Sequence, residues 1–388
     1  MYSKKVVFWS SCLAILLFGI AMTTLGSIAP DLKEKFQLDD IAAGTLFSIL
    51  PLGILAGSLL FGPIADKYGF GILMAVSCIL LALGFEGIAF ASFTGLLKVC
   101  IFLFGFAGGS INGATSALVS DISDNDKIAN ISLLGVFFGI GALGMPLVLG
   151  ILRESYRFEN TVAAVGILSF LTGILFMIIK LPPAKMAQKI PIGKMMGFFR
   201  DKVLLLIAFF LFFQSSFEGL MNNWTTTYLT DHLSISQDKA LYGLSLFVAG
   251  MVVMRLSTGT ILRHIPVKRI LIASFVFLIL GLVCIASGIS TVVALIGFVL
   301  VGAGLAGGFP IMLGFVGEMY ENISGTAFSF VLTIALLGNM LINYSMGIIS
   351  EKYGISNLMI VTFAEVVIMA VLGFVIIKKV NDVSKTVA

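Results

Sequence analysis

Twelve stretches of roughly 20 or more mostly apolar residues follow one another along this chain, separated by short polar or turn-rich breaks. A helix needs about 20 such residues to cross the hydrocarbon of a bilayer, and a helix satisfies its own backbone hydrogen bonds there. The pattern predicts an all-α integral membrane protein with twelve transmembrane helices, at residues 5–28, 39–63, 70–91, 94–120, 127–151, 158–180, 201–229, 238–262, 267–289, 291–318, 323–350 and 355–379. Composition agrees: 59% of the 388 residues are hydrophobic and 11% charged, whereas about a quarter of a soluble domain is charged. The first run follows Lys4 and Lys5, is too long for a signal-peptide core, and reads as a retained span.

One connection is long. Residues 181–200 (LPPAKMAQKIPIGKMMGFFR) carry three prolines and several basic residues and read as a cytoplasmic linker between two six-helix bundles, 1–180 and 201–388. Assigning Lys and Arg to alternate sides puts 16 with the N-terminus and 7 opposite; Arg255, inside a span, completes the 24. Basic residues mark the cytoplasmic side, so both termini are expected there, in a cell membrane. The net charge of +4 reflects this sorting and not a nucleic-acid partner. A repeat supports the division. Gly62-Pro-Ile-Ala-Asp66-Lys67-Tyr68-Gly69 closes the second span and Gly347-Ile-Ile-Ser-Glu351-Lys352-Tyr353-Gly354 the eleventh, with weaker echoes at Gly150–Tyr156 and Gly259–Arg263. Spans 2, 5, 8 and 11 are the middle members of four three-helix units, an inverting repeat found in many secondary transporters.

Within this apolar frame the seventh span, Phe212–Tyr228 (FFQSSFEGLMNNWTTTY), is unusually polar. Gln214, Glu218 and Asn222 recur at i, i+4, i+8 and form one stripe on a helix. A charge at bilayer depth is costly and usually faces a bundle interior or a water-filled cavity; the competing reading puts Glu218 near the outer interface. The four cysteines, Cys12, Cys78, Cys100 and Cys284, lie in apolar runs without paired spacing, and the two histidines, His232 and His264, are far apart. Neither a disulfide framework, a metal centre nor another cofactor is expected. No nucleophile–base pairing points to an enzyme.

Over nearly its whole length the chain resembles the major facilitator superfamily. Gly62-x-x-x-Asp66-Lys67-x-Gly69 is similar to that superfamily's signature between helices two and three, although Phe70 and Gly71 stand where a basic residue is usual. Within the superfamily, Phe137–Pro146, Phe217-Glu218-Gly219…Trp224…Tyr228-Leu229 and Gly302…Gly304…Gly307-Gly308-Phe309-Pro310 resemble the fucose:proton symporter and its sugar-transporting relatives. That symporter keeps an aspartate in helix one; this chain does not.

The resemblance implies that Gly62, Asp66 and Lys67 gate the inner side, with Asp66 meeting the positively polarised start of helix eleven. It implies that helices one, four, seven and ten line a central cavity, which makes Thr23, Asn112, Ser116, Gln214, Asn222, Asn223, Trp224 and Phe309, with Asn339 and Asn343 from helix eleven, the substrate-binding set. Amide and carboxylate groups pair with sugar hydroxyls, and Trp224 or Phe309 offers a flat apolar surface. The alternative is that the Asn and Ser residues pack helices together, at about 0.6 kcal/mol each. Glu218, a carboxyl whose charged form desolvation disfavours, is the expected proton-coupling residue. Arg255 lies deeper toward the cytoplasm than Glu218 and is expected to act structurally at the gate, while Glu86 and Lys98 are expected to pair across the third hairpin. The implied function is uptake of a small polar solute, a monosaccharide or related carbohydrate, by proton symport with alternating access in a monomer. Sodium is the alternative ion. Proton-coupled export of amphipathic compounds and a non-transporting sensor are the alternative functions.

Overall fold

The computed structural model describes residues 2–38, 40–123, 126–152, 155–184, 197–235, 237–260 and 264–387. Most of the expected linker, and Arg153, Glu154 and Arg263 of the weaker repeats, lie outside them. The described residues form α1 (Lys4–Ser27), α2 (Ala29–Phe36), α3 (Asp40–Tyr68), α4 (Phe70–Phe90), α5 (Thr94–Ile122), α6 (Lys127–Leu152), α7 (Phe158–Ile178), α8 (Lys202–Thr227), α9 (Gln237–Gly259), α10 (Val267–Ala286), α11 (Thr291–Leu305), α12 (Gly308–Met319), α13 (Ser324–Tyr353) and α14 (Asn357–Val387). Among them are twelve stretches long and apolar enough to cross a membrane. The protein is a multi-pass, all-helical membrane protein.

Three features depart from a plain run of spans. The short α2 follows the first span, and α8 is prolonged by a π turn at Tyr228–His232. The tenth span is two helices, α11 and α12, separated at Ala306-Gly307. Pro310 sits in the first turn of α12, where a missing N–H costs nothing but continuity with the preceding helix is lost. Asp201 starts α8 by accepting the Val203 and Leu204 N–H groups at 2.9 and 3.0 Å, an N-cap.

The chain divides into two compact units: Met1–Asn125, Phe137–Met195 and Tyr320–Ser329 in one, and Asp126–Val136, Met196–Met319 and Phe330–Ala388 in the other. Bare glycine backbone sets the helix approaches in each, as expected where helices associate through packing without a hydrophobic drive. In the first unit Gly53 meets the Phe102 carbonyl, Gly105 the Leu50 carbonyl and Gly84 the Phe104 side chain. In the second, Gly250 meets the Val299 carbonyl, Gly302 the Phe247 carbonyl and Gly281 the Val301 side chain. Every member of the second set stands 197 positions after its counterpart (Gly250 against Gly53, Val299 against Phe102). The units therefore repeat one packing scheme, with α3 on α5 answered by α9 on α11, and α4 on α5 by α10 on α11.

Candidate functional site

The same register relates two polar contacts. In the first unit Ser329 Oγ donates to the Ser58 carbonyl; in the second Ser132 Oγ donates to the Arg255 carbonyl at 2.8 Å. Gly62 and Gly259 follow one turn later, each closely covered: a Cβ at Gly62 would sit 2.6 Å from Ser329 Cβ, and one at Gly259 2.7 Å from Leu133 Cγ. Beside Gly62, the buried Asp66 accepts the Gly325 N–H at 3.2 Å, the Thr326 N–H at 2.8 Å and the Thr326 hydroxyl. These amides belong to the first turn of α13, whose N–H groups have no partner inside the helix and whose dipole favours an anion. Ser324, at the same turn, donates to Asp121 at 2.7 Å. Lys67 is half-buried with its ammonium 4.7 Å from the centre of the Tyr68 ring.

Other candidate side chains sort by whether their polar atoms are already engaged. Thr23 bonds the Ile20 carbonyl of its own helix, and Ser116 that of Asn112. Gln214 is 1% exposed and donates to the Leu305 carbonyl, 2.9 Å away at the end of α11; bare backbone at Gly308 leaves room for it. Its amide nitrogen is thus engaged between helices, while its Oε1 is buried with no hydrogen-bond partner among the described residues. A ladder joins α8 to α13: Asn339 Nδ2 donates to the Ser215 carbonyl at 2.8 Å, Asn343 Nδ2 to the Asn339 carbonyl at 2.9 Å, and Asn223 Nδ2 to Asn343 Oδ1 at 3.0 Å. Gly219 seats this ladder, since a Cβ there would lie 2.8 Å from Asn339 Cγ.

With Arg255 added, the candidates whose side chains take no hydrogen bond or ion pair among the described residues form a shorter set. In the first unit it is the half-buried Asn112. In the second it is half-buried Glu218, exposed Asn222 and buried Arg255, none of which uses its side chain in a hydrogen bond or ion pair there. Arg255 and Glu218 feel each other electrostatically but form no ion pair. Half-buried Trp224 and Phe309 supply aromatic surface in the same unit.

Glu86 and Lys98 do not pair among the described residues. Gly84 and Gly87 take the α4 face that meets α5, against Phe104 and Cys100, so the intervening Glu86 turns to α7, beside Gly166.

Sequence reasoning passed over two acidic groups. Glu365 of α14 is 3% exposed; Ser216 of α8 donates to its Oε1, and Oε2 has no hydrogen-bond partner among the described residues. An acid inside the last apolar run was the available signal. In the first unit a cavity of about 580 Å³ is lined by Ser27, Asp31, Lys35, Tyr156, Arg157 and Glu159, among others. There Glu159 accepts Lys35 at 3.3 Å and Arg157 at 3.0 Å. Among the described residues no group of three or more His, Cys, Asp or Glu could hold a metal ion.

The family model of the Major Facilitator Superfamily matches residues 11–321 and 228–387. The chain belongs to that superfamily. This major facilitator protein is a transporter and not an enzyme. It is 24% identical over 345 residues to the glucose/mannose transporter GlcP of Bacillus subtilis (strain 168), with 85% of this chain and 84% of the relative covered. Among solved structures it is similar to the proton:xylose symporter XylE, with TM-score 0.81, 12% identity and 96% and 95% of the two chains covered. It is also similar to the E. coli fucose:proton symporter FucP, with TM-score 0.79, 17% identity and 96% and 99% covered. At those identities the structural likeness establishes the fold.

Proposed function

We propose that this transporter takes up a monosaccharide or a closely related carbohydrate by proton symport, with its two halves giving alternating access to one solute site. The observation that carries this reading is the set of uncommitted polar groups on α8. Glu218 and Asn222 offer hydroxyl-binding atoms one turn apart, and Trp224 supplies an aromatic face. A relative that carries glucose and mannose supports the same solute class. Glu218 is the coupling residue: a carboxyl that takes up a proton when open to one side and releases it on the other links solute movement to the gradient. Asp66, with Gly62 and Lys67, latches the cytoplasmic side by capping α13. Both termini face the cytoplasm, on the evidence of the Lys and Arg distribution.

Uptake of labelled D-glucose, D-mannose, D-xylose and L-fucose into proteoliposomes, with and without an imposed inward proton gradient, tests this. The expected result is gradient-driven accumulation that Glu218→Gln abolishes while leaving counterflow exchange. Uptake that ignores the proton gradient and follows sodium would overturn the proton assignment. Absence of uptake for every sugar would overturn the solute class.

A further inference from the structure

Arg255 is 8% exposed, on a span of the second unit. An arginine stays charged in any protein environment, and a buried charge is normally paired or hydrogen-bonded. Among the described residues, however, no carboxylate lies within ion-pair distance of Arg255 and its guanidinium donates no hydrogen bond. The repeat shows that the fold does not require this charge. Its counterpart 197 positions earlier is Ser58, whose carbonyl receives Ser329 Oγ just as the Arg255 carbonyl receives Ser132 Oγ. The shared architectural contact uses backbone, so a small residue serves in the first unit. In the second unit the extra side chain is accommodated at Gly135, where a Cβ would lie 2.7 Å from Arg255 Cδ and 2.9 Å from Nη1. A glycine that makes room for an unpaired guanidinium on the same unit as the uncommitted Glu218 has the form of a binding position lacking its counter-ion.

We infer that Arg255 binds an anionic group of the transported solute, so that a sugar acid is carried in preference to its neutral parent sugar. The planar guanidinium presents two parallel N–H donors to a carboxylate, a geometry that lysine cannot reproduce. A neutral sugar would leave the guanidinium without an ion pair or charge-assisted hydrogen bond, which makes the position selective as well as attractive. Glu218 then faces the hydroxyl-bearing part of the same solute. The inference rests on the carbohydrate reading above only for the remainder of the molecule; the anionic group follows from Arg255 alone.

The test measures stabilisation of the purified protein against heating, and proteoliposome uptake, with D-glucuronate, D-galacturonate, D-glucose, D-galactose and benzoate. The full chain is compared as wild type, Arg255→Lys and Arg255→Ser, the last being the residue that the first unit uses at this position. Expected is preference of the wild type for a uronate over its parent sugar. In Arg255→Ser the uronate KM should rise on the order of 30-fold or more, with Arg255→Lys between. A structural role for Arg255 would lower transport of acid and neutral sugar together and leave the acid-to-neutral ratio unchanged, which overturns the inference. A wild type that carries glucose and ignores glucuronate also overturns it while keeping the carbohydrate reading. Arg255-dependent binding of benzoate without any sugar or sugar acid keeps the anion site and discards the carbohydrate. If no carboxylate stabilises the wild type or is moved by it, the inference falls.

Discussion

Gln214 donates its side-chain amide to the carbonyl of Leu305, 2.9 Å away at the last residue of α11. A helix-terminal carbonyl has no partner within its own helix, so the seventh span supplies a donor where the tenth breaks. Gln214→Leu should lower stability by about 0.5–1.5 kcal/mol, the net worth of a hydrogen bond. Thermal unfolding in detergent reads this. If Gln214 served the solute instead, the melting midpoint would hold and only the transport KM would rise.

Asp66 holds the first turn of α13 through two backbone amides and the Thr326 hydroxyl. Asp66→Ala should destabilise by about 1–2 kcal/mol, as the loss of an N-cap does. Asp66→Asn keeps an acceptor and should recover part of it. Hydrogen exchange at Gly325 and Thr326 provides the local readout: faster exchange there than elsewhere is expected, and uniform protection would refute the cap.

The glycine approaches make a prediction with an internal control. A Cβ at Gly53 would fall 2.9 Å from the Phe106 amide nitrogen, whereas at Gly26 and Gly144 nothing lies within 4 Å. Gly53→Ala, and Gly250→Ala in the repeat-equivalent place, should each cost about 1–3 kcal/mol through overpacking. Gly26→Ala should stabilise by about 0.4–1 kcal/mol by restricting the unfolded chain. Equal effects at all three sites would contradict the packing scheme.

Ser216 donates a hydrogen bond to the carboxyl group of Glu365, between α8 and α14. Removing one partner of a buried polar pair costs more than removing both. Ser216→Ala should therefore destabilise by about 1–3 kcal/mol, and adding Glu365→Leu should return part of that loss. A double-mutant cycle on unfolding free energy measures the coupling; strictly additive changes would show that the two side chains do not depend on each other.

Positions of the spans were legible in the residues because the bilayer constraint acts on each helix separately. Enough consecutive apolar residues make a span, and the breaks expected at 91–94, 151–158 and 318–323 lie within one residue of helix ends. The division of the tenth span is foreshadowed by Gly307-Gly308-Phe309-Pro310, since proline and glycine act on their own backbone. Polar side chains are another matter. A helical-face argument sees only one helix, so it groups Gln214 with Glu218 and Asn222. It does not see that the Leu305 carbonyl takes the amide of the first of these, while the other two side chains form no hydrogen bond or ion pair among the described residues. The same limit paired Glu86 with Lys98 by depth, when glycines on either side of Glu86 turn it to another helix, and it passed over Glu365, whose partner Ser216 is 149 positions away.

By itself, then, the sequence determined that this chain is a twelve-span helical membrane protein in two repeated halves, because hydropathy and backbone chemistry operate within a single helix. Only the tertiary structure decided which polar groups hold helices together and which do not. Hydrogen-bond partners come from neighbouring helices far away in the chain, and a side chain is free only when none of those neighbours has claimed it. Asn339 and Asn343 have been claimed; among the described residues Glu218, Asn222 and Arg255 have not.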